Sequence, residues 1–215
     1  MQMEEKMFKI YAKGDEKIQL KIIPGHFVTS QSHITHYLDM TTMKTRCAEA
    51  SRIAKFLSIR YETTTPVDTI VCLDGLEVVG AFLAEELAKA GVLSMNAHKT
   101  IYIVTPEFNA NGQMLFRDNT QHMIQNRNVV VLMGSITTGV TLQRCIDSVL
   151  YYGGKITGVS AIFSAINKIA GMEINAVYHK QDIPEYESYS AKDCPMCQKK
   201  MKIDAIVNGY GYSKL

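Results

Sequence analysis

The sequence predicts an α/β fold: a parallel-rich twisted sheet flanked by helices, with a small N-terminal β-hairpin and hood. Three observations predict it. Short apolar runs rich in β-branched residues recur along the chain, apolar residues at helical spacing fill segments between them, and glycines stand where those helices should stop. Strands buried on both faces belong to parallel sheets, because the crossover helices cover both sides.

Met7–Lys13 and Lys17–Ile23 nearly alternate around Gly14-Asp15, which reads as a β-hairpin. Pro24-Gly25 then breaks the chain before a Ser/Thr/His-rich stretch, Thr29–Thr42, expected to be a polar loop or irregular strand. Ala48–Tyr61 carries Ile53, Ala54, Phe56 and Leu57 at helical spacing. Thr69–Leu73 is a buried strand ended by Asp74-Gly75, and Leu76–Ala90 is a helix with Val79, Phe82, Leu83 and Leu87 on one face, stopped by Gly91. Thr100–Val104 and Val129–Met133 follow as strands, Leu142–Tyr152 as a helix closed by Gly153-Gly154, then Ile156–Phe163 and Ile174–Tyr178 as strands.

A length of 215 residues suits one such domain with appendages: residues 1–42 as hairpin and hood, 43–180 as the α/β core, 181–215 as a C-terminal arm. The hydrophobic share of 47% and charged share of 20% are those of a globular protein. A net charge of +2 and the short Lys199–Lys202 run give no footprint for nucleic acid. No stretch approaches a membrane span, and the charged start Met1–Lys6 has no apolar segment behind it, so the expectation is a cytoplasmic protein. Cys47, Cys72 and Cys145 are scattered in apolar segments, as reduced core thiols are.

In open parallel sheets ligands sit beyond the carboxyl ends of the strands. The most informative such end is Met133-Gly-Ser-Ile-Thr-Thr-Gly-Val-Thr141. A buried strand runs into Ser135, Ile136, Thr137, Thr138, Gly139 and Thr141 and on into a helix. That turn offers free backbone N–H groups at a helix start with hydroxyls beside them, which suits a phosphate group. Gly139 would let the backbone approach the anion. The other reading is a strand-to-helix turn whose Thr138 or Thr141 caps the helix.

Ile136-Thr137-Thr138-Gly139 followed by Thr141 resembles the fingerprint of the type I phosphoribosyltransferases, which has an apolar strand, two acids, an apolar residue and Thr-Thr-Gly. Gly25-His26-Phe27-Val28, opening a Ser-rich stretch that ends at Tyr37, is similar to the hood of the orotate branch, and Cys194-Pro-Met-Cys197 to a tail of some of its members. The resemblance implies that Ser135–Thr141 receives the 5-phosphate of phosphoribosyl pyrophosphate. It also implies Mg²⁺ near the loop after the first core strand (Asp74, Gly75, Glu77), base contacts from the hood (Phe27, His36), and a homodimer. The two acidic positions fall on Met133 and Gly134, and the loop Thr105–Gly112 holds one carboxylate and no cation, with Arg117 the nearest positive residue. Transfer needs charge under the ribose and on the leaving pyrophosphate, so orotate turnover is expected to be absent or weak. Asp74 and Glu77 either recruit Mg²⁺ or are a strand end and a first-turn helix acid.

Cys194 and Cys197 have the spacing of a zinc knuckle, but the chain holds no second CxxC. His179, Asp182 and Asp193 are the nearest further donors in sequence, and structural zinc, a free dithiol and redox chemistry all stay open. His26, His33 and His36 read as part of an exposed polar loop, with ligand contacts from the hood as the other reading.

Overall fold

The computed structural model describes residues 3–91, 94–97, 99–110 and 112–215. Its core is a six-stranded sheet. Five strands run parallel: β4 (Thr69–Cys72), β5 (Tyr102–Val104), β8 (Asn128–Ile136), β9 (Lys155–Ser164) and β11 (Met172–His179). The order is β10-β11-β9-β8-β4-β5, where β10 (Lys168–Ile169) is an antiparallel edge on β11. Alternation within the apolar runs assigns the faces. Ile70, Cys72, Val130 and Leu132 enter one core cluster, while Val71, Leu73, Val129, Val131 and Met133 enter the other.

Helices α2 (Cys47–Ser58) and α3 (Glu77–Lys89) cover the first face through Ala50, Ile53, Ala54, Leu57 and Val79, Leu83, Leu87. Gly80 of α3 lets that helix close on β4, since a Cβ there would strike Cys72 Sγ. Helix α5 (Val140–Tyr151) covers the second face with Leu142, Cys145, Ile146 and Val149. All five core strands and these three helices are those expected from the sequence, with ends moved by one to three residues. The largest extension is β8, which runs to Ile136 because Ser135 and Ile136 still pair with Phe163 and Ser164 of β9.

A second sheet joins the two ends of the chain. It contains β1 (Phe8–Ala12), β2 (Asp15–Val28), β3 (His33–Asp39), β12 (Ser188–Tyr189), β13 (Ala205–Asn208) and β14 (Gly211–Lys214), ordered β12-β3-β2-β13-β14 with β1 on β2. The predicted hairpin is therefore present, but Pro24-Gly25 does not break the chain. The register of β2 against β3 shifts between Pro24 and Phe27, so the pair is absorbed as a bulge within one long strand. The Ser/Thr/His-rich stretch then forms β3, and a short helix α1 (Thr41–Thr45) leads from it towards the core. Hood and C-terminal arm, read apart in the sequence, are strands of one sheet. Among the described residues no helix is long and apolar enough to cross a membrane.

Candidate functional site

From β4 the chain passes to β5 on one side, then returns to place β8 on the other. The strand order thus switches at β4, and the loops leaving β4 and β8 flank the crevice where such sheets take ligands. The β8 loop is Thr137–Gly139, and Gly139 is the N-cap of α5 at φ 81° with no side-chain cap hydrogen bond. Thr138 and Thr141 do not cap the helix. Among the described residues no hydrogen bond engages the hydroxyls of Ser135, Thr137, Thr138 or Thr141, and Thr138 is exposed. The reason for glycine at 139 differs from the expected one. A Cβ there would meet Ile166 Cδ1 at 3.0 Å and Ile169 Cδ1 at 3.4 Å, so it would point into the β9–β10 connection. Glycine is required by that contact and by its positive φ.

The β4 loop supplies charge. Asp74 is held at φ 58°, and its Oδ2 accepts the Gly134 N–H at 3.1 Å. Lys44 of α1 reaches the same spot, its Nζ donating to the carbonyls of Asp74 at 2.7 Å and Gly209 at 2.6 Å. A Cβ on Gly134 would lie 3.1 Å from Lys44 Nζ and 3.2 Å from Asp74 Cβ. Burial pushes the Lys44 ammonium below its usual range, and Asp74, Glu77 and Asp39 pull it partly back. The turn between β13 and β14 lies over this group. A Cβ on Gly209 would come within 2.8 Å of Asp74 Cβ, and one on Gly75 within 3.6 Å of the Tyr210 ring.

Sequence reasoning found Asp74 and Gly75 but missed Lys44, Gly209 and Tyr210. Lys44 stands in no motif, and the C-terminal turn reaches the site only through the pairing of β13 with β2. A lysine on a short polar segment was the one available signal, and it is too common to use.

Several predicted residues lie elsewhere. Glu77 sits in the first turn of α3, exposed, and accepts the Thr105 hydroxyl at 2.9 Å. Arg117 is paired with Glu107 across the hairpin of β6 (Glu107–Phe108) and β7 (Met114–Leu115), with Nε donating to Oε2 at 2.8 Å, so it is no free cation. Asn111 of that loop lies outside the described residues. Phe27 is fully buried against Tyr37 and offers no face to a base. His36 is 7% exposed, stacked on Tyr186 and edge-on to Phe8, and burial lowers its pKa. It is a core histidine. His26 and His33, at 1% and 8% exposure, are not on an exposed loop either.

For Mg²⁺ the donor set is thin. Asp74 contributes one carboxylate, already bonded to Gly134 N–H and beside the Lys44 ammonium, while Glu77 is engaged by Thr105. Mg²⁺ takes oxygen ligands in a strict octahedron, and a neighbouring ammonium opposes it. The residues present do not fit a protein-held Mg²⁺.

Cys194 and Cys197 do find partners, though not those nearest in sequence. His179 and Asp182 bond to each other through the His179 N–H at 2.8 Å, and Asp193 accepts the Ser190 hydroxyl at 2.6 Å. The thiols instead face His26 and His33, whose ring nitrogens lie with both sulfurs inside 4.8 Å of one another.

No family model matches the chain. It is 23% identical over 180 residues to the orotate phosphoribosyltransferase of Desulforamulus reducens, covering 83% of this chain and 85% of the relative. Among solved structures it resembles Leishmania donovani UMP synthase (TM-score 0.54, 15% identity), covering 74% of this chain and 34% of that one, so it spans about a third of that protein. It also resembles Mycobacterium tuberculosis orotate phosphoribosyltransferase (TM-score 0.52, 15% identity), covering 76% of this chain and 91% of that one. These likenesses show the fold: the chain folds as the type I phosphoribosyltransferases do.

Proposed function

We propose that this chain binds phosphoribosyl pyrophosphate or a nucleotide 5′-phosphate as an orotate phosphoribosyltransferase-like protein, with the phosphate on Ser135–Thr141. The observation that carries the reading is the strand–loop–helix at the end of β8, whose hydroxyls are unengaged and whose helix start has no side-chain cap. Backbone N–H groups at such a start are matched to a dianion. Ser135, Thr138 and Thr141 hydroxyls add donors, and Gly139 sets the turn. A cytoplasmic homodimer completes the reading, carried by the resemblance alone.

For the reaction itself, charge must be offset on both reacting fragments. Met133 and Gly134 provide none, so Asp74 and Lys44 are the groups that would do so in this chain. They stand beside each other under the Asn208–Gly211 turn. That cover favours a second reading, a non-catalytic sensor of nucleotide or phosphoribosyl pyrophosphate, in which ligand and C-terminal turn compete for Asp74.

Calorimetric titration with phosphoribosyl pyrophosphate and Mg²⁺, followed by orotate and chromatographic assay for orotidylate, separates the outcomes. Binding with turnover that disappears in Asp74→Asn and Lys44→Met supports the enzyme. Binding without turnover supports the sensor. No binding of phosphoribosyl pyrophosphate or of any nucleotide 5′-phosphate ends the proposal.

A further inference from the structure

The hood and the C-terminal arm meet at a cluster that the phosphate site does not use. His26 lies in the bulge of β2 and His33 opens β3, directly opposite Val28. Cys194 and Cys197 bracket the first turn of a short helix, α6 (Pro195–Gln198). His26 Nε2 is 3.0 Å from His33 Nδ1, 3.6 Å from Cys194 Sγ and 3.6 Å from Cys197 Sγ, and Cys197 Sγ is 3.3 Å from His33 Nδ1.

These separations are the edges of a tetrahedron. With Zn–N near 2.05 Å and Zn–S near 2.3 Å, a tetrahedral ion sets N···N at about 3.3 Å and N···S at about 3.6 Å. The two edges from His26 Nε2 to the sulfurs match those values, and the other two are shorter by about 0.3 Å, before any ion draws the donors to a common centre. Orientation agrees as well. His26 Nδ1 lies 3.2 Å from the Met201 carbonyl, to which its N–H donates, leaving the Nε2 lone pair aimed at the sulfurs.

Packing gives an independent reason. From Ala191 to Asp204 Cys194 is the one buried residue, and α6 buries no apolar side chain. This turn has no hydrophobic core of its own, yet it is closed tightly. Gln198 N–H donates to Cys194 O at 3.1 Å, Lys200 N–H to Cys197 O at 2.9 Å, and Lys200 takes φ 55°. Small segments that cannot bury enough apolar surface are commonly held by a metal. The turn is tied to the hood backbone on its far side too, where His26 N–H donates to Asp204 Oδ2 and Asp204 N–H to His26 O, both at 2.8 Å.

We propose that His26, His33, Cys194 and Cys197 bind one structural Zn²⁺ in a Cys2His2 site that clips the C-terminal arm to the hood. Four protein donors leave no open position, so the ion is structural and not catalytic. Both thiols lose their protons on binding, and the imidazoles enter neutral. The mixed sulfur and nitrogen set favours Zn²⁺ over Mg²⁺ or Ca²⁺.

The test is the metal content of the full-length chain, purified under reducing conditions without added metal, and it does not depend on the phosphate site. We expect about one zinc per chain, falling below about a tenth in Cys197→Ser and His33→Ala, with Cys47→Ser, outside the cluster, unchanged. Should the ligand variants fail to fold, the parent carries the test. Stripped with a chelator, reduced and titrated with Co²⁺, it should show the visible d–d bands of a tetrahedral thiolate site at one equivalent. Zn²⁺ should then bleach them and protect residues 190–204 from protease. A parent that purifies without zinc and gives no cobalt bands overturns the proposal, as does Cys47→Ser losing as much metal as Cys197→Ser.

Discussion

Replacing Gly134 by Asp restores an acid at the second acidic position of the phosphoribosyltransferase pattern, and the structure says that it cannot simply be added. The new Cβ would lie 3.1 Å from Lys44 Nζ, 3.2 Å from Asp74 Cβ and 3.3 Å from Asp74 Oδ2. Two carboxylates about 4 Å apart in a half-buried site repel by about 4 kcal/mol. The Lys44 ammonium, 3.1 Å from the new Cβ, offsets part of that. A net loss of about 2–3 kcal/mol is expected, which for a chain of this length lowers Tm by about 4–12 °C.

Asp74→Gly in the same background should restore most of the loss. It removes the competing carboxylate, and glycine accepts the φ of 58° without the Cβ penalty of about 1 kcal/mol. In the parent, Asp74→Gly gives up the hydrogen bond from Gly134 N–H, so relief and loss nearly cancel at about 0–1 kcal/mol. Urea unfolding of the four proteins measures the cycle, and a coupling of at least about 2 kcal/mol is expected. Additivity within about 0.5 kcal/mol would refute the claim that Asp74 occupies the space an acid at 134 would need.

Thr138→Ala removes an exposed, unengaged hydroxyl, so Tm should hold while affinity for a 5′-phosphate falls roughly tenfold in calorimetry; undiminished affinity would move the cradle elsewhere. Lys44→Met strands the carbonyls of Asp74 and Gly209 and should cost about 2–4 kcal/mol in urea unfolding, and an unchanged midpoint would contradict the two bonds. Gly209→Ala drives a Cβ into Asp74 and should speed proteolytic cleavage of residues 204–215; cleavage at the parental rate would mean that the turn does not rest there. Burial pushes the Tyr37 hydroxyl up to about 12, so the unfolded chain gives up this proton first. Its stabilising contribution is whole below pH 10 and is lost as pH climbs towards 12, at about 1.4 kcal/mol per pH unit. Tyr37→Phe should flatten the alkaline decline by that slope, and parallel declines would show that the group is not buried as described.

The core was legible because the central strands β4 and β8 are buried on both faces and each helix on one. Val129–Leu132 and Ile70–Cys72 are apolar without interruption, and Leu76–Ala90 shows its buried stripe directly. The second sheet was not. Its strands come from residues 8–39 and 188–214, and nothing local in a four-residue strand such as Ala205–Asn208 names a partner at Phe27 and Val28. Pro24-Gly25 has the composition of a turn, and only the neighbouring strand turns it into a bulge. For the same reason His26 and His33 read as exposed polar residues. They are buried against the C-terminal arm, where Cys194 and Cys197, more than 160 positions away, contact them.

The charged half of the candidate site was hidden in a different way, by a change of strand. β4 and β8 run parallel with Thr69 opposite Val129 and Cys72 opposite Leu132. Two steps further along that register, Asp74 comes opposite Gly134, and the hydrogen bond from Gly134 N–H to Asp74 Oδ2 closes the pair. A carboxylate absent from β8 is thus present at the matching height of β4, at the same edge of the same sheet. A motif read along one strand registers this as a loss. Read across the ladder it is a displacement of one inter-strand spacing, about 4.8 Å. Glycine at 134 is then the consequence of Asp74, since the Asp74 and Lys44 side chains crowd the space a Cβ would take. Met133, whose side chain points into the opposite core cluster, has no such counterpart, and its acid is missing outright. One carboxylate and one ammonium, in place of two carboxylates, favour holding a phosphate-bearing ligand over stabilising a cationic ribose, which is why binding is expected to survive here better than turnover.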